Sequence, residues 1–163
     1  MKQLLLIRHA KSSWADAGME DFDRPLNDRG KKDAPQMAMR LLHRKIHIDA
    51  FVTSTAKRAR KTCSAFMEVY ERKQADMMLK PELYLAPPEQ FVNVINSLED
   101  TIETAALFAH NPGITDFANS LTKTKVDDMP TCAVYAVRAA IKTWKEFETA
   151  KKEFYFFDYP KLM

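Results

Sequence analysis

Four side chains suited to phosphate chemistry follow short apolar runs that are typical of buried strands: Arg8, His9, Arg58 and His110. A neutral imidazole is a nucleophile, and a guanidinium group can bind two phosphate oxygens at once. In open α/β sheets ligands bind at the carboxyl ends of the strands, so we expect these residues to meet at one rim. Phosphoryl transfer depends mainly on positioning and charge stabilisation. The pattern therefore favours a phosphoryl-transfer site.

The segment around Arg58 joins a predicted strand to a predicted helix. Ser54 or Thr55 can cap that helix and leave backbone N–H groups free at the rim. Basic residues are unfavourable in the first turn of a helix because they oppose its dipole. This region nevertheless holds four of them: Lys57, Arg58, Arg60 and Lys61. An anion held between them would explain the group, whereas a solvated basic face is the competing interpretation for all except Arg58.

The segment around His110 predicts a second helix start at the same rim. Asn111 is placed as the N-cap and Pro112 as the first helical residue, both of which favour initiation. His110 comes directly before this cap, beside a helix N-terminus that can bind an anion. A single histidine after a strand is usually structural, but three converging segments favour a functional site.

The remainder of the chain alternates between strand-like and helix-like patterns, which predicts an α/β fold with a mostly parallel sheet and mixed or antiparallel edge strands. Strands are predicted at residues 4–7, 50–53, 77–80, 104–109, 133–137, 143–147 and 154–157. Helices are predicted from near Pro35 with Asp33 as a possible cap, over about 55–73, from Pro87-Pro88-Glu89, and from Asn111-Pro112. The aromatic tail, residues 154–157, is expected to be an edge strand rather than a partner site.

Composition places the chain among ordinary globular proteins. Its 163 residues fit one domain, with 46% hydrophobic and 29% charged residues. A net charge of +3 is too small to indicate a nucleic-acid surface. No apolar run approaches the roughly 18 residues of a membrane span, and the first run is too short for a signal peptide, so we expect a cytoplasmic protein without membrane partners. Cys63 and Cys132 lack metal-site spacing and are expected to be buried free thiols rather than a disulfide.

These motifs together resemble the histidine phosphatase superfamily. Arg8-His9 matches its Arg-His-Gly signature with Ala10 in place of glycine, and its other two motifs match Ser54-x-Ala56-x-Arg58-Ala59-x-x-Thr62 and His110. Four further segments are similar to the small SixA-type phosphohistidine phosphatases: Lys11-Ser12-Ser13-Trp14, Arg24-Pro25-Leu26, Leu83-Tyr84-x-Ala86 and His110-Asn111-Pro112-Gly113. The likeness extends from Lys2 to about Leu121. It implies a single histidine phosphatase domain over residues 1–163, folded as a phosphoglycerate mutase-like three-layer α/β/α sandwich.

The resemblance also implies a role for each site residue. His9 would attack phosphorus, while Arg8, Arg58 and His110 would bind the phosphoryl oxygens and stabilise the transition state. Asn111 is expected to contact the substrate, and water would then hydrolyse the phosphohistidine. No metal and no cofactor are implied. The nearby guanidinium charges would disfavour protonation of His9 and keep it nucleophilic.

The identity of a general acid bears on the substrate. Many relatives use a glutamate in a segment that here contains Glu82. Alternatively, the acidic loop could supply the acid from Asp16, Glu20, Asp21 or Asp23, although a solvated loop that partly neutralises Arg24 is the favoured interpretation. A general acid contributes roughly 10² to 10⁴ in rate to expulsion of an alkoxide, whereas an imidazole leaves a labile P–N bond with less help. Ala15, where mutase-like members carry a phosphate-contacting asparagine, also argues against mutase chemistry.

The sequence therefore favours a phosphatase that acts on protein phosphohistidine through a covalent intermediate on His9. Its partner would be a phosphorylated protein or a small phosphate compound, and the absence of room for a large lid suits a protein substrate. A phosphomonoesterase that uses Glu82 or a loop aspartate is the first alternative. A non-catalytic phosphate-binding module is the second, but binding alone does not require His9.

Overall fold

The computed structural model describes residues 1–162, which fold around one six-stranded sheet. Its strands are β1 Lys2–Arg8, β2 Ala50–Thr53, β3 Met78–Leu79, β4 Thr104–Ala109, β5 Val134–Ala139 and β6 Lys152–Asp158. The strand order is β3-β2-β4-β1-β5-β6. The first four strands of this order pair in parallel, whereas β5 is antiparallel to both β1 and β6. The predicted parallel sheet with an antiparallel edge is confirmed.

Helices cover both faces of this sheet. They are α1 Asp28–His43, α2 Lys57–Val69, α3 Pro88–Asn96 and α4 Gly113–Leu121. Alternate residues of β1 serve the two layers: Leu5 and Ile7 pack with α1 and α2, and Leu4 and Leu6 pack with α3 and α4. This two-sided burial explains the continuous apolar run of β1. The chain is thus a three-layer α/β/α sandwich.

The predicted start of α1 is wrong. The helix begins at Asp28, and Pro35 lies inside it. The cap is Asn27, whose side-chain oxygen accepts a hydrogen bond from the Gly30 N–H at 2.9 Å. Asp33, the expected cap, is a buried helical residue that pairs with Arg29 at 3.4 Å. The asparagine cap accepts a hydrogen bond from the first turn, and the acidic residue after it interacts favourably with the helix dipole. Together they favour a helix start at Asp28 over one near Pro35.

The predicted caps of α2 and α4 are also wrong. Ala56 and Pro112 occupy the two N-cap positions, and neither makes a side-chain cap. The Ser54 hydroxyl accepts from the Ala56 N–H at 3.2 Å, outside the helix, and lies 2.8 Å from the His110 ring. The Asn111 amide donates to Met129 O at 3.1 Å. Both polar side chains thus make tertiary contacts at the sheet rim, which a local pattern does not reveal.

The strand predicted at residues 143–147 is absent from the described chain, which forms a short 3₁₀ turn, Trp144–Glu146, there. Glu146 Oε2 accepts from the Thr143 N–H at 2.8 Å in a reciprocal capping box. Trp144 and Phe147, three residues apart, are both buried. A spacing of three residues suits one helical turn, whereas a strand would place apolar residues at every second position. The predicted strand is therefore wrong.

The predicted edge strand at the aromatic tail and the predicted free thiols are confirmed. The tail lies in β6, one of the two edge strands of the sheet, with Phe156 buried. Cys63 and Cys132 are buried free thiols. Within residues 1–162, no helix has the length and apolar character that crossing a bilayer would require.

Candidate active site

Two neighbouring strands bring the two predicted histidines together. Arg8, the last residue of β1, is in register with Ala109, the last residue of β4. His9 and His110 therefore leave the sheet side by side, and their ring centroids are 5.2 Å apart. Their exposed fractions are only 6% and 2%. The parallel pairing of β1 and β4 thus places both rings at one buried point of the rim.

The backbone around His9 is held from three directions. The His9 N–H donates to Ala109 O at 3.1 Å, and the Cys132 N–H donates to His9 O at 3.0 Å. The next N–H, of Ala10, donates to the Thr62 hydroxyl on α2 at 2.9 Å. These bonds tie His9 to β4, to the start of β5 and to α2, so the ring is positioned before any ligand arrives.

Hydrogen bonding also determines which nitrogen of His9 is free. Nδ1 lies 2.7 Å from the backbone oxygen of Ala10. A carbonyl oxygen only accepts, so Nδ1 carries the proton of the neutral ring and Nε2 presents its lone pair. Arg58 Nε donates a long hydrogen bond of 3.4 Å to that Nε2. The unprotonated nitrogen of His9 is therefore covered by a guanidinium group, which must release it before the lone pair can attack a ligand.

Burial and charge keep both histidines neutral. Burial, opposed by the bond to Ala10 and reinforced by the charges of Arg58 and Arg8, lowers the pKa of His9 to about 3. Burial and the proximity of His9 and Arg58 lower the pKa of His110 to about 3 as well. Both imidazoles are thus unprotonated at neutral pH, as the nucleophile hypothesis requires.

Two buried nitrogens at the rim lack a partner within residues 1–162. They are Nδ1 of His110 and Nε of Arg8. His110 is oriented through its other nitrogen, 2.8 Å from the Ser54 hydroxyl, and Arg8 donates through Nη1 to Met129 O at 2.8 Å. Buried polar atoms are rarely left unpaired, so these two nitrogens are the groups available to an anionic ligand.

Asn111 is placed differently from the other predicted site residues. Its amide nitrogen donates to Asp128 Oδ1 at 2.8 Å and to Met129 O at 3.1 Å. Its oxygen accepts from the Thr115 hydroxyl at 2.6 Å. The side chain therefore braces the segment that also receives Arg8, and its direct contact with substrate stays a prediction.

A loop residue that we did not assign to the site, Asp21, covers Arg58. Arg58 donates through Nη1 to the backbone oxygen of Asp21 at 2.6 Å and through Nη2 to its Oδ2 at 3.0 Å. The Tyr84 hydroxyl donates to the same Oδ2 at 2.6 Å, and Arg24 binds Oδ1 at 3.0 Å. The Tyr84 ring in turn contacts His110 edge to face, with centroids 5.4 Å apart.

The environment of Asp21 argues against its being a general acid. Burial alone would raise the pKa of this carboxyl group, but hydrogen bonds from Tyr84, Arg24 and Arg58 lower it to about 2. The favoured interpretation of the loop, partial neutralisation of Arg24, agrees with the ion pair. The other candidates, Asp16, Glu20, Asp23 and Glu82, are all exposed. Among residues 1–162, no cluster of three or more acidic, histidine or cysteine side chains is arranged to hold a metal ion.

Sequence reasoning missed the supporting roles of Ser54, Thr62 and Tyr84, and it named Asp21 only as one of four possible acids in the loop. Ser54, Thr62 and Tyr84 lie within the motif segments, and this position could have indicated that they support the site. The local sequence does not show which atoms they bind. Asp21 stands in a polar loop of four acidic residues, so only its contact with Arg58 distinguishes it.

Comparison with known proteins finds a family whose sequence resembles the part of the chain that holds His9 and Arg58. Residues 4–83 match the sequence model of the histidine phosphatase superfamily, branch 1. This half of the chain is therefore similar to that superfamily. An uncharacterized chloroplastic protein of Arabidopsis thaliana is 28% identical over 153 residues, which cover 89% of this chain and 70% of that protein. An uncharacterized protein of Mycobacterium tuberculosis is 34% identical over 106 residues, covering 65% of this chain and 63% of that protein.

Several solved structures share the fold. The SixA protein of Agrobacterium tumefaciens has a TM-score of 0.81 at 24% identity, with 98% of each chain covered. The protein histidine phosphatase SixA complexed with tungstate has a TM-score of 0.82 at 19% identity, with 97% of each chain covered. A mycobacterial glucosyl-3-phosphoglycerate phosphatase with VO₃ has a TM-score of 0.74 at 14% identity, covering 96% of this chain and 98% of that one. The phosphoglycerate mutase-like fold is confirmed.

Proposed function

We propose that this protein is a histidine phosphatase that removes the phosphoryl group from phosphohistidine on another protein, through a covalent intermediate on His9 and without a metal. The observation that carries the proposal is the state of His9, a buried residue whose Nδ1–H is bound to Ala10 O while its unprotonated Nε2 accepts a long hydrogen bond from Arg58. The tautomer, the burial and the neighbouring charge all favour attack by Nε2 on phosphorus.

The first half of the reaction forms one P–N bond and breaks another. The lone pair of His9 Nε2 attacks phosphorus in line with the substrate imidazole. That imidazole, protonated by solvent on its other nitrogen, leaves as a neutral ring with the electrons of the broken bond. Charge on the equatorial oxygens is stabilised by Arg8, Arg58 and His110, which donates through Nδ1–H in the tautomer whose Nε2 accepts from the Ser54 hydroxyl.

The second half depends on the bond between His9 and Ala10. Because Nδ1 keeps its proton while Nε2 is phosphorylated, the phosphorylated ring carries a positive charge. Attack by water on phosphorus then expels His9 as a neutral imidazole, and the proton of that water is lost to phosphate or solvent. The same backbone carbonyl thus orients the nucleophile and makes it a good leaving group.

The contacts of the acidic residues support nitrogen rather than oxygen as the leaving atom. An alkoxide needs a proton donor, but Asp21 is held ionised and Glu82 is exposed. Small phosphate esters are the second candidate substrate class. They are favoured by the fold shared with a glucosyl-3-phosphoglycerate phosphatase.

A substrate panel tests this function. Turnover is measured on a phosphohistidine peptide, phosphoramidate, an aryl phosphate and a sugar phosphate, for the wild type and His9→Ala. We expect the phosphohistidine peptide to exceed the esters by at least about 10² in kcat/KM. His9→Ala should lose at least about 10⁴ in kcat, since the nucleophile is removed.

Radiolabel trapping provides the second readout. Label from phosphoramidate should appear on wild-type protein in an acid-labile, alkali-stable form and be absent from His9→Ala. His43→Ala, which removes an exposed histidine at the end of α1, is the matched control and should label normally. Preference for esters would reject phosphohistidine as the substrate, and turnover by His9→Ala would reject the mechanism.

A further inference from the structure

A groove lies beside the proposed active site, between the first turns of α1 and α2. Its volume is about 370 Å³, and its lining residues are Pro25, Leu26, Lys31, Lys57, Lys61 and Ala65. We call it the lysine groove. It adjoins the site along both chain segments, because Pro25 follows Arg24 and Lys57 precedes Arg58, and both arginines bind Asp21.

The three lysines of the groove have no internal counter-charge. Within residues 1–162, none of them forms an ion pair or donates a side-chain hydrogen bond to the protein. Lys57 and Lys61 are one helical turn apart, where like charges repel, and they lie at the positive end of α2. The first turn of α2 contains no acidic residue. Arg60 differs, since its guanidinium group binds Thr55 O at 2.8 Å.

The floor between these lysines is apolar. Leu26 is 6% exposed, and Pro25 and Ala65 are half-buried. Lysine stems pack along apolar surface while their ammonium groups remain in water. A complementary ligand therefore combines negative charges with an apolar side chain. Nucleic acid fits less well, because the groove has no aromatic side chain on which a base could stack.

We propose that the lysine groove docks an acidic segment of the phosphorylated protein, with an apolar side chain on the floor, next to the phosphohistidine that enters the active site. This inference rests on the proposed function and names the chemistry of the partner. Lysines around a groove raise the rate of encounter and select partners by charge. They contribute little to the binding of free phosphoramidate, which contacts only the active site.

Three phosphohistidine peptides of equal length test the proposal. Beside the phosphohistidine, one carries three glutamates and a leucine, the second three glutamines and a leucine, and the third three lysines and a leucine. The enzymes are the wild type, the groove variant K31Q/K57Q/K61Q and a control variant, K123Q/K145Q/K151Q, with the same change in charge at exposed sites.

At low ionic strength the wild type should prefer the glutamate peptide to the glutamine peptide by about ten-fold in kcat/KM, through KM. The preference should weaken with added salt. The groove variant should lose it, and the control variant should keep it. Turnover of free phosphoramidate should stay within about two-fold in all three proteins.

Failure of the docking proposal is distinguishable from failure of the proposed function. Equal turnover of the three peptides by the wild type would overturn the docking proposal and leave the function intact. If no phosphohistidine peptide is hydrolysed, the proposed function fails, and binding of the unphosphorylated glutamate peptide then tests the docking proposal. Loss of binding in the groove variant but not in the control variant would support docking. Equal binding by the wild type and the groove variant would overturn it. The docking proposal would also be overturned if the wild type bound a single-stranded oligonucleotide more tightly than the unphosphorylated glutamate peptide.

Discussion

The active site has two halves that are held in different ways. The inner half, His9 and His110, lies at the ends of two paired strands and is almost fully buried. The outer half consists of Asp21 and the side chains that bind it, namely Arg24, Arg58 and Tyr84. The side chain of Asp21 is 43% exposed. One half is thus part of the core, and the other is a surface network.

The difference indicates which half can respond to a ligand. Backbone hydrogen bonds from three elements fix the inner half. The ion pairs of Asp21 each join a buried arginine to a carboxylate that is 43% exposed and that a ligand can therefore reach. Arg58 belongs to both halves, because its Nε faces His9 while its outer nitrogens bind Asp21. We therefore expect a phosphoryl group to displace the Asp21 carboxylate from Arg58 while the backbone of His9 stays in place.

The largest expected effect comes from Gly113→Ala, which tests the rigidity of the inner half. A Cβ atom at Gly113 would lie 1.7 Å from the backbone oxygen of Ala86, so α4 or the segment before α3 must shift. We expect a loss of about 3 kcal/mol in the free energy of unfolding, together with most of the activity. Urea denaturation and phosphoramidate turnover measure both.

Gly18→Ala is the control for this substitution. A Cβ atom at Gly18 would contact only the Asp16 side chain, at 3.5 Å. Stability and turnover should stay close to those of the wild type. A stable and active Gly113→Ala protein would show that the inner half tolerates displacement and would remove the contrast between the halves.

The pH dependence of stability separates the halves next. Because the pKa of each buried histidine is about 3 in the folded protein, against about 6.5 in the unfolded chain, the unfolded chain binds more protons between these values. Stability therefore rises with pH through this window and is lost as the pH falls. From pH 8 to pH 5 each histidine should account for about 2 kcal/mol.

Urea denaturation at the two pH values measures this loss. His9→Gln and His110→Gln should each remove about 2 kcal/mol of the pH dependence. His43→Gln, at an exposed position, should leave it unchanged. Asp21 makes no contribution in this range, because its pKa of about 2 lies below it. An unchanged pH dependence in both variants would mean that the histidines are not held neutral by burial.

The inner half could be predicted from the sequence because its residues directly follow strands. The apolar runs before His9 and His110 are continuous, and parallel neighbours in a sheet end at the same rim. A continuous apolar run can be recognised within a short window of sequence, without knowledge of distant contacts. The same local reasoning failed at residues 143–147, where the spacing of Trp144 and Phe147 belongs to a helical turn.

The outer half could not be predicted, because its contacts join distant segments of polar residues. Asp21 and Tyr84 are 63 positions apart, and their bond depends on how two irregular loops meet. Asp21 also has acidic neighbours with no such contact, so its type and position do not identify it. The cap of α2 failed because the helix begins later than expected: the Ser54 hydroxyl accepts from the N–H of Ala56, the N-cap residue, and also contacts His110, 56 positions away.

Ser54→Ala tests how strongly the inner half depends on a side chain. It removes the partner of His110 Nε2, which lies 2.8 Å away, and leaves a buried ring nitrogen unpaired. We expect a loss of about 1–2 kcal/mol in stability and about ten-fold in kcat. Ser64→Ala on α2 is the control and should change neither. Full activity of Ser54→Ala would mean that packing alone orients the His110 ring.

The smallest effect is expected from Asp21→Asn, which tests whether the outer half yields to an anion. The bond from Arg58 to the backbone oxygen at position 21 is retained, and the amide oxygen can still accept from Tyr84. The negative charge is removed, and the hydrogen bonds from Arg24 to Oδ1 are lost with it because the amide nitrogen cannot accept. Relief of about 1 kcal/mol of repulsion should tighten inhibition by inorganic phosphate about five-fold.

Inhibition of phosphoramidate turnover by phosphate measures this change. Asp23→Asn, in the same loop and exposed, is the matched control and should leave the inhibition constant within about two-fold, since distant exposed charges are screened. Tighter binding in Asp21→Asn alone would mean that this carboxylate competes with the phosphoryl group for Arg58. Weaker binding would mean that Asp21 holds Arg58 in the geometry that phosphate needs, and the outer half would then be as preorganised as the inner one.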